Sequence, residues 1–321
     1  MWVGQSIPAR WDNSTPAATY YGIKLATLCV VVYFERTDFV AKRRYSFDED
    51  KHARFLKEGR GQGKGQDYRP WLTVQDVSSS GRSSRIHSCK TGREHHLLSD
   101  IETALFLLLD WSDSVTDIRE QFPLDRDETR RIAADMGVRH PIDTESRTDI
   151  VMTTDFVVDV RINNMDKMVA RSVKPASKLD GLRTLEKQEI ERRYWQIKGA
   201  DWGLVTERNL PAQRVKNLRW LHEMQSLKHM SAPNSGYWNE RCDKFLTSLP
   251  HAVGMSTRQF VRLLESTHGF ATGEGLTVLR HLAANKRISI DLDTQFGMGM
   301  PIELFSAVAA PTIARHARKT A

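Results

Sequence analysis

The sequence predicts a mixed α/β fold, a mixed sheet flanked by helices, followed by a mostly helical, winged-helix-like domain. Three observations carry this. Between residues 97 and 206 the pattern runs helix, strand, strand, helix, strand. After about Glu207 helical periodicity takes over. The 321 residues are 40% hydrophobic and 27% charged, enough apolar content to fill more than one core of a soluble chain. The expected division is an N-terminal extension at 1–50, a first domain at 51–207 and a second at 208–321.

Taken in order, residues 25–34 form an apolar run between Lys24 and Glu35, too short to span a bilayer, which needs roughly 20 residues. It reads as a buried strand or short helix in the N-terminal extension, or as a segment with no role in the core fold, and the chain then turns basic at Lys42, Arg43 and Arg44. Residues 57–68, with alternating glycines among basic side chains, read as a flexible loop able to approach a polyanion, or as a solvated linker. Residues 97–109, LLSDIETALFLLL, read as a helix with Ser99 as N-cap and Glu102 three positions on. The β-branched run 151–160 and the run 168–174, which stops at Pro175, read as two strands, with Asn163-Asn164 turning a hairpin between them. A long charged helix follows at 182–197 and a strand at 202–206; helices are expected at 212–227, 257–266 and 275–284, and a closing strand at 287–292.

The formal net charge of +7 favours phosphate-rich partners. Cys29, Cys89 and Cys242 share no CxxC spacing, which argues against a zinc site or a disulfide framework and for a reducing, cytoplasmic setting.

Asp155 lies inside a run that otherwise reads as buried, and a buried carboxylate is costly unless paired or metal-bound. Strand alternation puts Ser172 and Lys174 on one face, and a hairpin sets that face beside Asp155. Glu102 offers a second carboxylate from the preceding helix. Oxygen donors of this kind hold Mg²⁺ for phosphodiester hydrolysis, with a lysine to orient water or stabilise the oxyanion. Surface alternation or a plain salt bridge would leave the same spacing.

The blocks KEGRGQGKGQDYRPWLTVQDVSSSGRSSRI (57–86), KTGREHHLLSDIE (90–102), DIREQFPL (117–124), TTDFVVD (153–159), VKPASKL (173–179) and TLEKQEIERRYW (184–195) resemble the TnsA family of transposition endonucleases. The resemblance covers nearly half the chain, with a weaker match around 273–296 to that family's winged-helix-like half. It implies a restriction-endonuclease-like fold and an acid–acid–lysine centre of Glu102, Asp155 and Lys174. It further implies Mg²⁺, with Mn²⁺ substituting, on Glu102, Asp155 and the backbone carbonyl of Val173. The implied partners are transposon-end DNA, a TnsB-like DDE transposase cutting the 3′ ends, and a TnsC-like AAA ATPase on the C-terminal part. Two copies are implied in the working complex, in a bacterial cytoplasm and with no membrane. One departure stands out: related nucleases often carry Glu, Asp or Gln two positions before the lysine, where this chain has Ser172. The competing readings are a catalytically inert DNA-binding architectural or regulatory subunit and a free-standing restriction-like nuclease.

Among other candidates, His95 and His96 read as packing or DNA-proximal groups rather than metal ligands, and Tyr194 and Trp195 as core aromatics. Arg82, Arg85 and Arg119 are candidate phosphate contacts, with ion pairing as the alternative. Glu191, on the helix after Lys174, is a candidate support for that lysine.

Overall fold

The computed structural model describes residues 46–77 and 82–308. The apolar run at 25–34 and the basic Lys42, Arg43 and Arg44 lie outside them.

A helix α1 (Glu49–Lys57) opens on the Asp48 side chain, which caps Lys51 N at 2.8 Å. The hairpin β1 (Ser84–Ser88) and β2 (Arg93–Leu97) leads into α2 (Asp100–Trp111). Then come β3 (Val115–Pro123), α3 (Arg126–Asp135), β4 (Thr153–Ile162), β5 (Met165–Val173), α4 (Leu182–Ile197) and β6 (Asp201–Val205). The sheet order is β3-β4-β5-β6, antiparallel except for the parallel β5–β6 pair. The mixed sheet flanked by helices is therefore as expected. Asn163 and Asn164 adopt φ of 53° and 61°, the left-handed pair that a tight hairpin demands and asparagine tolerates.

Each face of the sheet is covered. Phe156, Val158 and Val173 pack with Leu105 and Phe106 of α2. Val157 and Ala170 pack with Ile132 of α3 and Ile190, Tyr194 and Trp195 of α4. The two aromatics are core residues, as the sequence suggests.

The C-terminal region is helical: α5 (Ala212–His222), α6 (Tyr237–Ser248), α7 (Thr257–Thr267) and α8 (Glu274–Ala284). The helix read at 212–227 ends at His222, and the strand read at 287–292 shrinks to β7 (Ile288–Ser289), paired with β8 (Ser306–Ala307). Packing is continuous across residue 207. Leu105, Phe106 and Leu107 of α2 share one apolar cluster with Leu218 and Leu221 of α5, Phe245 of α6, Phe260 of α7 and Leu279 and Leu282 of α8.

The glycine-rich stretch at 57–68 departs from the flexible loop expected of it. Gly61 has φ of 77° and its Cα abuts the Pro123 ring, where an added Cβ would lie 2.2 Å from Cγ. Gly63 has φ of 88° against the Asp67 carbonyl. Lys64 reaches Asp159 at 3.0 Å and Arg60 reaches Asp76 at 2.7 Å, so these basic side chains tie the segment to the body.

Candidate active site

Three elements converge at one end of the sheet. Asp155 is the third residue of β4, Lys174 follows the last residue of β5, and Glu102 sits in the first turn of α2. The fold brings all three together, with the Val173 backbone between them.

Ser99 caps α2, its Oγ accepting from Glu102 N at 3.1 Å. The Glu102 carboxylate turns back, as anticipated, but bonds elsewhere than in a reciprocal capping box. It accepts from Ser99 Oγ at 2.9 Å and from Leu98 N, one residue before the cap, at 2.9 Å. That fold-back holds Glu102 against the sheet end, only 6% exposed.

Asp155 is 8% exposed. Its Oδ2 accepts from Val173 N at 2.6 Å, Lys174 Nζ at 3.2 Å and Ser172 Oγ at 3.5 Å. Lys174 Nζ also donates to the Val173 carbonyl at 2.8 Å, and the Lys174 amide donates to Val205 O at 3.0 Å, pinning the residue to β6. Ser172 is buried, its hydroxyl only at the limit of hydrogen-bonding reach of the carboxylate.

The charges are under-compensated. Burial, and then the negative charge of Asp155, push Glu102 up to about 7. Burial alone would depress the Lys174 ammonium, but Asp155, Glu191 and Glu102 outweigh it and leave the pKa raised. Glu191, on α4, accepts from Thr154 Oγ1 at 2.7 Å, and that oxygen accepts in turn from the Trp195 indole at 2.7 Å. Burial and Asp155 push Glu191 up to about 7 as well. Glu191 therefore lies in the electrostatic neighbourhood of Lys174 but hydrogen-bonds Thr154 rather than the lysine.

Sequence reasoning missed Gln121, on β3. It is 2% exposed and its Nε2 lies 3.4 Å from Glu102 Oε2 and 3.3 Å from Asp155 Oδ1. Its signal was present only as one letter of the DIREQFPL block.

The remaining candidates fall elsewhere. His95 is fully buried, bonded to Glu120 Oε2 at 2.7 Å and Thr91 Oγ1 at 2.8 Å, a packing role. Arg119 is no phosphate contact: it is buried and ion-paired with Asp159 and, at 3.4 Å, with Asp117. Arg82 and Arg85 are exposed and pair with Asp100 at 3.0 Å and Glu94 at 3.6 Å.

As a cation site the donor set is all oxygen: two carboxylates, the Val173 carbonyl and solvent. Among the described residues no cluster of three or more His, Cys, Asp or Glu side chains is set to hold a metal. Mg²⁺ needs no such cage, since it binds through one or two carboxylates and keeps several waters. Two buried carboxylates facing one ammonium, one of them pushed to about 7, are the environment a divalent cation relieves. The residues present fit the ion.

Residues 112–207 match the family model of the TnsA-like endonuclease N terminal, and residues 209–292 that of the TnsA endonuclease C terminal. The chain is 42% identical over 263 residues to the Transposon Tn7 transposition protein TnsA of Escherichia coli, covering 80% of this chain and 91% of that protein. Asp155, Val173 and Lys174 fall within the first matched segment, and Glu102 precedes it. With both halves matched and that identity along most of its length, the chain belongs to the TnsA family of endonucleases.

Proposed function

We propose that this endonuclease cuts the strand at the 5′ ends of a Tn7-like transposon during cut-and-paste transposition, using Mg²⁺, with Mn²⁺ able to substitute. The observation that carries the reading is the approach of Lys174 Nζ to Asp155 Oδ2, 3.2 Å, with Glu102 buried beside them.

Asp155 and Glu102 hold the ion through their carboxylates, with the Val173 carbonyl as a third oxygen. Bound there, the cation neutralises charge building on the phosphorus and lowers the pKa of the attacking water. In the metal-free chain Asp155, Glu191 and Glu102 outweigh burial and raise the Lys174 pKa, so its ammonium is a hydrogen-bond donor. Its ammonium orients the nucleophile or stabilises the developing oxyanion. The Ser172 hydroxyl is a poorer ligand than an acid or glutamine side chain would be at that position. The body of α2 behind Glu102 is apolar and fixes the spacing of the two carboxylates.

The partners in this reading are transposon-end DNA, a TnsB-like DDE transposase that handles the 3′ ends, and a TnsC-like AAA ATPase. The C-terminal region carries partner contacts and part of the DNA affinity, and two copies act in the assembled complex. No helix among the described residues is long and apolar enough to cross a membrane.

The test is to sequence insertion products from cells carrying Asp155→Ala. The partner transposase should still join 3′ ends to target while the 5′ strands stay attached, giving fused donor–target molecules instead of simple insertions. Simple insertions at the normal frequency would overturn the reading. Loss of every joined product would mean a broken assembly, and Lys174→Ala then takes its place.

A further inference from the structure

Gln121 lies inside β3, yet its φ is +48°. For a residue other than glycine the left-handed region costs roughly 1–2 kcal/mol and persists where the surroundings enforce it, often at functional sites. Here the Gln121 carbonyl accepts from Trp71 N at 3.1 Å. The twist interrupts strand alternation. Glu120 points to Arg93 and His95 of β2, whereas Phe122, two residues on, packs towards Trp195 of α4. Gln121 is thereby aimed between the two carboxylates of the active site.

Of the two oxygens it meets, Asp155 Oδ1 is the one left open. Asp155 Oδ2 already accepts from Val173 N, Lys174 Nζ and, weakly, Ser172 Oγ, whereas among the described residues Oδ1 accepts only from Gln121. Glu102 Oε1 accepts from Ser99, and Oε2 from Leu98 N and Gln121. At 3.3 and 3.4 Å both amide contacts are longer than good N–H···O bonds, so the amide is a weak substitute for a positive charge. The other end of the carboxamide, Oε1, accepts from Thr153 Oγ1 at 3.2 Å. A hydroxyl donates or accepts equally well, so Thr153 can serve the amide in either orientation.

Starting from the metal reading above, we propose that Gln121 is a further member of the divalent-cation site. With no cation its N–H₂ faces the two carboxylates. With a cation its carboxamide turns over, Thr153 accepts from Nε2, and Oε1 faces the ion. An N–H₂ left facing the cation would repel it; the oxygen attracts it. Gln121 thus supplies the hard oxygen that the short Ser172 side chain does not bring.

The experiment is Mn²⁺ titration calorimetry on the full chain at neutral pH, with the melting temperature of each variant as a fold check. Asp155→Ala should abolish binding. Gln121→Met, similar in size but without the oxygen, should weaken it about tenfold or more, the scale expected for losing a polar partner of a metal site. Gln121→Glu, which offers an anionic oxygen, should bind at least as tightly as the unaltered chain. Thr153→Val should weaken binding severalfold. Unchanged or tighter binding by Gln121→Met overturns the inference, since a pure N–H clamp would compete with the cation. If Gln121→Met does not fold, weaker binding by Gln121→Glu overturns it in the same way. An unaltered chain that binds no Mn²⁺ sinks the metal reading and this inference together; binding lost in Asp155→Ala but indifferent to Gln121 sinks the inference alone.

Discussion

Two consecutive residues of β3 serve two buried carboxylate centres of opposite character. Glu120 is fully buried and amply matched. Arg93 donates to it at 2.8 and 2.6 Å, His95 lies at 2.7 Å, and the His96 amide donates at 3.1 Å. Although burial alone would raise it, Arg93 and His95 hold its pKa at about 2. Gln121, its neighbour, faces Glu102 and Asp155, which share one lysine and two long amide contacts. There the carboxyl of Glu102 sits at about 7. The first centre is complete within the chain and serves the fold. The second is left short of positive charge, and that shortage is what a cation and a phosphate-bearing substrate would exploit.

The comparison is broken most severely by exchanging the two glutamates for glutamines. Glu102→Gln keeps a carbonyl acceptor for Leu98 N, can donate its N–H₂ to Ser99 Oγ, and removes a like charge from beside Asp155. Strand cleavage should fall about 10²–10³-fold, the cost of removing one charge-stabilising group from an active site. The melting temperature at pH 8 should hold or rise. A fall of several degrees with cleavage intact would reverse the assignment of the two centres.

Glu120→Gln should do the opposite. It leaves the Arg93 guanidinium buried without its counter-ion, which costs about 3–5 kcal/mol. Urea denaturation measures the loss, and any loss of cleavage should follow the folded fraction. A variant as stable as the parent would show that the Arg93 pair contributes nothing.

A subtler contrast appears with pH. Glu120 has a depressed pKa, so its contribution is complete above its ordinary value of 4.5 and is lost as the pH falls towards about 2. Glu191 is raised to about 7. Its contribution is complete below 4.5 and is lost as the pH rises through 7. Between pH 5 and 8 the metal-free chain should therefore lose on the order of 1–3 kcal/mol that Glu191→Gln does not lose. Denaturation at four pH values tests this, and parallel slopes for the two proteins would dismiss the buried charge at Glu191.

The smallest effect concerns Lys286, just after α8, which donates to Trp111 O at 2.7 Å and pairs with Asp113. Lys286→Ala should cost about 0.2–1 kcal/mol, the range for a surface ion pair, since Asp113 is 86% exposed. A larger loss would show that this contact holds α2 and α8 together more firmly than its exposure suggests.

Legibility in the sequence followed the same division. The β4–β5 hairpin was readable because a run rich in β-branched residues and a second run ending at Pro175 flank an Asn-Asn turn, and that hairpin carries Asp155 to Lys174. The start of α2 was readable from Ser99, and α7 from its strong apolar periodicity; Ser256 and Gln259 form its capping box. By contrast β1, β2 and β3, with sequences SRIHS, REHHL and VTDIREQFP, carry no hydrophobic period that marks a strand. Their buried charges satisfy one another across strands, as Arg93 does Glu120, and such pairing is invisible to a pattern built on polarity. Gln121 escaped notice for a related reason: its backbone is imposed by neighbours distant in sequence, and glutamine does not signal a left-handed residue. The glycines at 61 and 63 were misread because close packing and flexibility select the same residue.

The apolar cluster that runs from α2 into α5, α6, α7 and α8 bears on how such proteins diversify. Domains joined by a linker can be traded between relatives, with each keeping its own interior. Here the helix that presents Glu102 lends its hydrophobic side to the helices beyond residue 207. A hybrid joining residues 1–207 of this chain to the C-terminal half of a relative would have to match the packing that Leu105 and Phe106 make with Leu218 and Leu221. Recombination at that seam should therefore succeed only when α2 travels with the C-terminal helices. In this chain the helix bearing Glu102 and the helices beyond residue 207 form one packed unit.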